Sequence, residues 1–173
     1  MKRNTVLTIV GAVALTACAS HAPASSSQSS AASTVARVGQ LAPSWTEPAV
    51  PDGTVSMAAL RGKAVYLNFF ATWCPPCNEE APTLESLQRQ YASRGFVVVG
   101  VDVLENARKA EEFRSRHHLS YTAIVDDGTL RNQYNINGLP VHVFIDRSGV
   151  VRTIEVGEIS ASDMRADVLK LLR

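Results

Sequence analysis

Two cysteines, Cys74 and Cys77, stand two residues apart just after an apolar run, residues 64–70 (AVYLNFF). The run is apolar along most of its length, as a strand covered on both faces should be. A Cys-x-x-Cys pair where a buried strand hands over to a helix reads as a redox motif. Helical residues three apart share one face, so the two sulfurs can close a small disulfide ring or open to a dithiol. The first sulfur sits at the helix N-terminus, where free backbone N–H groups and the helix dipole stabilise a thiolate. A thiolate is the species that attacks a disulfide. The same spacing suits half of a zinc site, which needs two further thiolate or imidazole ligands. The only other cysteine is Cys18, far upstream, and no His-x₃-His pattern follows. Neither a metal nor a cofactor is therefore expected.

Cys18 has a separate explanation. The chain opens Met1-Lys2-Arg3 and then runs apolar over residues 6–17. That is too short for a spanning helix, which takes about 20 residues, and it suits a secretory signal peptide. The run ends Leu15-Thr16-Ala17-Cys18, which resembles the bacterial lipoprotein box. The resemblance implies cleavage before Cys18 and lipidation of its sulfur and amine, and several acyl chains anchor stably where one binds only marginally. By resemblance to Gram-negative lipoproteins, Ala19 in place of Asp implies the outer membrane if the source is Gram-negative. Residues 1–17 are thus expected to be a lipoprotein signal peptide and 18–36, rich in Ser and Ala, a lipid-anchored flexible linker. Residues 37–173 remain for one domain.

Without residues 1–17, which hold two basic side chains and no acidic one, 15 basic residues stand against 16 acidic. That balance leaves no electrostatic footprint for nucleic acid and no polybasic membrane patch. Export would also place the domain beyond the cytosolic thiol systems, so its partners are expected outside the cytoplasm.

Within the domain, Pro51-Asp52-Gly53-Thr54 marks a turn between short extended segments, Trp45 reads as core, and residues 57–60 form a short helical turn. A helix is expected from Pro75 to about Ser93, with Leu84, Leu87 and Tyr91 at helical spacing and Pro82 inside it. Residues 96–103 read as a second buried strand, and 106–118 as a helix with Ala110, Phe113 and His117 on one side. Residues 122–125 read as a short edge segment and 128–134 as a helical turn. Residues 141–145 and 150–156 form a hairpin. Ser160 caps a last helix, with Asp163 in its first turn and Ile159 stapled to Met164. The order implies an α/β fold with a central mixed sheet and helices on both sides.

With the Cys-x-x-Cys at the first strand-to-helix junction, this order resembles the thioredoxin fold, here with an N-terminal β-hairpin extension. Five motifs make the chain similar to the membrane-tethered TlpA/ResA-like thiol–disulfide oxidoreductases. They are Leu60-Arg61-Gly62-Lys63, residues 68–73 (NFFATW), residues 77–82 (CNEEAP), Gly138-Leu139-Pro140 and residues 144–149 (FIDRSG). The resemblance implies that Cys74 is an exposed nucleophile and Cys77 the buried resolving thiol. It implies that Pro140 is a cis-proline beside the disulfide, leaving the Leu139 backbone free to pair with an extended substrate segment. Trp73, Pro75 and Pro76 complete the expected substrate rim. Thioredoxins carry a buried Asp where this chain has Asn68, which cannot exchange a proton. Glu80 matches a glutamate of the extracytoplasmic group, one helical turn after Cys77, where it can relay that thiol's proton; the other reading is a solvated first-turn glutamate. His117-His118 end a helix where a cation suits the dipole, and His142 stands near the active-site end of its strand as a weak candidate for substrate contact.

The expected activity is reduction of disulfides in envelope proteins, apocytochrome c among them by resemblance, by a lipid-anchored monomer fed by a membrane electron donor. Pro75 has no N–H to offer the Cys74 thiolate, which raises the thiol pKa and favours the disulfide form of the enzyme. Two other readings stay open at this point: a client- or metal-binding module without turnover, and a net disulfide oxidant.

Overall fold

The computed structural model describes residues 35–173. Its elements are β1 (Thr46–Val50), β2 (Thr54–Ser56), β3 (Ala64–Phe70), α1 (Pro75–Tyr91), β4 (Phe96–Val103), α2 (Ala107–Arg116), β5 (Thr122–Asp126), α3 (Thr129–Gln133), β6 (Val141–Ile145), β7 (Val151–Val156) and α4 (Ala161–Leu171). The signal peptide, Cys18 and most of the expected linker lie outside the described residues. At the start of the domain, the Ala36 N–H donates to Gln133 O at 2.7 Å. Among the described residues no helix is long and apolar enough to cross a membrane.

Every residue of β3 is buried, because the strand lies at the centre of the sheet and its alternating side chains enter two different cores. Val65, Leu67 and Phe69 join Trp45, Met57, Leu60, Leu130, Tyr134 and Ile136 on one face. Tyr66 and Phe70 join Leu84, Leu87, Phe113, Met164 and Val168 on the other. Helices α1, α2 and α4 therefore cover one face, and α3 with the N-terminal segment covers the opposite one. Gly100 of β4 permits a close approach on the helical face: a Cβ there would stand 3.0 Å from the Phe70 ring.

The sheet order is β2-β1-β5-β4-β3-β6-β7. Strands β3, β4 and β5 run parallel, while β6 and β7 return antiparallel on one side. On the other side β1 pairs antiparallel with both β2 and β5, forming the expected hairpin extension. The expectation that residues 122–125 form an edge is corrected by this pairing. The strand that covers β5 comes from far upstream, and nothing in five short residues encodes so distant a partner. The helix starts follow the sequence signals. Asn106 accepts from Lys109 N at 3.1 Å and Ser160 from Asp163 N at 3.2 Å, each satisfying an otherwise free amide. Helix α1 continues through Pro82, and residues 57–60 form hydrogen-bonded turns.

Helix α2 is held to the sheet by Phe113, which is 2 % exposed and stacks at 4.5 Å on the Phe70 ring. Phe113→Ala should cost about 3–5 kcal/mol, read as a lower urea midpoint with an unchanged slope. A loss below about 1 kcal/mol would mean that α2 contributes little to the core.

Candidate active site

The chemistry-bearing loop is shaped by hydrogen bonds around the end of β3. Cys74 is the N-cap of α1, in extended backbone conformation, and is joined to Cys77 by a disulfide with Cα atoms 5.3 Å apart. Pro75 and Pro76 occupy the first two helical positions, so the first amide available to the Cys74 sulfur is that of Cys77, at 3.4 Å. The Asn78 amide donates to Thr72 O at 3.0 Å and to Cys74 O at 2.8 Å. Its oxygen accepts from His117 Nε2 at 3.0 Å. From the other side, the Glu105 carboxylate accepts from Thr72 N at 2.5 Å and Thr72 Oγ1 at 2.7 Å. His117 was expected as a cation at a helix end. Burial, with Arg116 and His118 nearby, lowers its pKa instead, and it acts as a neutral N–H donor to Asn78.

Both sulfur-bearing residues are buried, Cys74 at 3 % exposure and Cys77 at 2 %. The expectation of an exposed Cys74 is therefore corrected for this disulfide form, because Cys74 lies beneath the rim made by its neighbours. Access is nonetheless one-sided. A cleft of about 560 Å³ is lined by Trp73, Cys74, Pro75, Pro76 and Leu139, and Cys77 does not reach it. Trp73 is 63 % exposed at the rim. Pro140 follows Leu139 through a cis peptide bond, as expected, and is buried. The far wall went unnoticed in the sequence: it comprises Val103, Leu104, Arg131, Asn132 and residues 135–137. Asp126 aims the Arg131 end of that wall by accepting from Leu130 N and Arg131 N at 2.8 and 3.0 Å. Among the described residues no group of three or more His, Cys, Asp or Glu side chains is placed to hold a metal ion.

Behind the disulfide the helical face of the sheet carries polar groups. Glu79 is exposed, whereas Glu80, on the buried face of α1 with Cys77, is 5 % exposed. Ile159 N donates to Glu80 Oε1 at 2.9 Å, and Glu80 Oε2 has no hydrogen-bond partner. Burial raises the Glu80 pKa to about 7 against the opposing Ile159 bond, with Glu158 and Glu79 adding to the rise. His142 is fully buried and so cannot contact substrate, contrary to that weak expectation. It lies opposite Asn68 across β3 and β6. Its Nδ1 meets the Tyr66 hydroxyl at 2.8 Å and Asn68 Nδ2 at 3.3 Å, and its Nε2 meets Gly157 O at 3.1 Å. Burial lowers its pKa to about 4.

A second buried acid, also missed in the sequence, stands beneath the Thr72 loop. Asp102 of β4 is 0 % exposed, and neither carboxyl oxygen meets an N–H or hydroxyl donor. Burial first, then Glu105 beside it, raises its pKa to about 8. It is therefore largely neutral at pH 7. An unfolded Asp titrates near about 3.9, so between these values the native state holds a proton that the unfolded state has lost. Stability contributed by this group is complete below the lower value and is lost as pH rises towards the upper one. Asp102→Asn is close in shape but cannot ionise. The variant should gain stability over the wild type as pH rises from about 4 to 8, measured as paired denaturant midpoints. A difference that stays flat across that range would remove Asp102 as the titrating group.

Comparison with known proteins agrees with this geometry. Residues 38–154 match the AhpC/TSA family. The thioredoxin-like protein YneN of Bacillus subtilis is 33 % identical over 130 residues, covering 73 % of this chain and 75 % of the relative. The thiol-disulfide oxidoreductase ResA of Geobacillus kaustophilus is 32 % identical over 132 residues, covering 76 % of each. A solved thiol:disulfide interchange protein of the thioredoxin family from Chlorobium tepidum TLS is 35 % identical, with a TM-score of 0.72. The match covers 77 % of this chain and 96 % of that one. With a Cys74–Cys77 disulfide at the head of α1 on such a sheet, the chain belongs to the AhpC/TSA family and is a ResA-like thiol–disulfide oxidoreductase of thioredoxin fold.

Proposed function

We propose that this enzyme is a net reductant of protein disulfides outside the cytoplasm, with Cys74 attacking, Cys77 resolving and Glu80 taking the Cys77 proton. The observation that carries the assignment is the one-sided cleft, which opens on Cys74 and leaves Cys77 behind it on the side of Glu80. In the reduced enzyme the Cys74 thiolate attacks a client disulfide, forming a mixed disulfide and expelling one client thiolate. Cys77 then gives its proton to the Glu80 carboxylate and attacks the Cys74 sulfur. The second client thiolate leaves, and two electrons have passed from the enzyme dithiol to the client. A carboxyl that titrates near 7 is suited to this transfer at neutral pH.

The client is an extended segment lying in the cleft, its backbone paired with Leu139 beside Pro140 and its flanks against Trp73, Pro75 and Pro76. Envelope proteins, apocytochrome c among them, supply such segments, and a membrane electron donor must restore the dithiol after each turnover. The signal-like N-terminus supports export, and lipidated Cys18 holds a monomeric enzyme at the membrane, on the outer one in a Gram-negative source. The direction rests on the two prolines. Among the described residues only the Cys77 amide reaches the Cys74 sulfur, so the thiolate lacks donors that would make the reduced form more stable.

Insulin reduction tests the assignment. Cys74→Ser should abolish turnover, and Cys77→Ser should accumulate the mixed disulfide through Cys74; a Cys74→Ser enzyme that still turns over would refute it. Equilibration with glutathione buffers tests the direction. The potential should lie nearer the thioredoxin end, about −270 mV, than the strongly oxidising end near −120 mV. A value above about −180 mV would make the enzyme an oxidant or isomerase instead.

A further inference from the structure

His142 plays no part in the steps above, yet it bonds the segment that holds Glu80. Its Nε2 lies 3.1 Å from Gly157 O. A carbonyl only accepts, so Nε2 carries the proton. In the neutral ring Nδ1 is then the acceptor, and the Tyr66 hydroxyl and Asn68 amide donate to it. Three bonds thus fix one tautomer and one ring orientation. The segment held by His142 is the one that serves Glu80. Gly157 N donates to Pro140 O at 2.8 Å, and two residues further on Ile159 N donates to Glu80 Oε1 at 2.9 Å. The other carboxyl oxygen, Oε2, has no hydrogen-bond partner among the described residues, and His142 Nε2 stands 3.6 Å from it.

We propose that His142 is the positioning residue of Glu80, its one N–H anchoring the segment whose amide holds one carboxyl oxygen and its polar ring edge lying 3.6 Å from the other. This rests on Glu80 being the proton acceptor of the resolving step. The two buried groups divide the work by protonation state. The imidazole stays neutral and keeps its N–H, while the carboxyl changes state near neutral pH. The other ionisable groups facing Glu80 are Tyr66 on β3, Glu79 on its own helix and Glu158 in the segment before α4. None is a cation, so an N–H donor is the means at hand to stabilise the carboxylate. The arrangement also links the site's two sides, since His142 follows Pro140 by two residues on the strand that leads away from the cleft residue Leu139.

The test reads Glu80 directly and needs no turnover, so its outcome is separate from that of the reduction assay. The full chain, labelled with ¹³C at the glutamate carboxyls, is titrated by NMR, with Glu80→Gln identifying the resonance. His142→Phe fills the same space without either nitrogen and should raise the Glu80 midpoint by about one pH unit, roughly a tenfold change in ionisation. His142→Gln offers an amide N–H at similar reach and should keep the midpoint near the wild-type value. An unmoved midpoint in His142→Phe, or a fall towards that of an exposed carboxyl, overturns the proposal. So does a His142→Gln shift as large as that of His142→Phe. If His142→Phe does not fold, ¹⁵N spectra of the wild-type imidazole decide. An Nε2–H tautomer whose Nε2 resonance moves with the Glu80 midpoint supports the assignment. An Nδ1–H tautomer, or a resonance indifferent to that midpoint, overturns it.

Discussion

Asn78 holds the handover from β3 to α1 together. Its amide nitrogen donates to the carbonyls of Thr72 and Cys74, and its oxygen receives the N–H of His117 on the far end of α2. Glu105 takes the two Thr72 donors from the opposite side. A loop that carries a nucleophile must present it without wandering, and here the restraint comes from side chains of three separate elements. Because the restraints converge on backbone groups, Trp73, Pro75 and Pro76 remain free to form the rim of the cleft.

The site separates apolar and polar work by sheet geometry. Alternate residues of β3 point to opposite faces, so one residue parity feeds the apolar core under α3. The other feeds the helical face, where Asn68, His142, Asp102 and Glu80 are buried. Buried polar groups are costly unless paired, and these are paired unevenly. Asn68 and Tyr66 share the His142 ring nitrogen, whereas neither oxygen of Asp102 has a partner among the described residues. Glu80 stands between these cases, with one oxygen bonded by Ile159 N and the other open. A half-satisfied carboxyl near neutral pKa is a poor device for stability, and it suits the proton transfer proposed for Glu80.

The elements that were legible from sequence are those whose signals are local. A continuous apolar run gave β3, caps at Asn106 and Ser160 marked the helix starts, and Cys-x-x-Cys marked the redox pair. The resemblance extended this to Pro140 and to the choice of Glu80 over Glu79. What stayed illegible was non-local. Thr122–Asp126 read as an edge because its partner, β1, arrives from the other end of the domain. His117 read as a helix-end cation because Asn78, its partner, lies far away in sequence. His142 read as a weak substrate contact because burial of a histidine depends on what covers it.

The sequence by itself determined the reaction class, since two thiols at this spacing after a buried strand admit few other uses. It also determined which strands and helices form, through periodicity and capping within a few residues. Only the tertiary structure decided which sulfur meets the cleft, which acid stays protonated and which histidine stays neutral. Those outcomes depend on desolvation and on hydrogen bonds between residues many positions apart. Both are properties of packing, set once the sheet order brings β3, β4 and β6 side by side beneath α1.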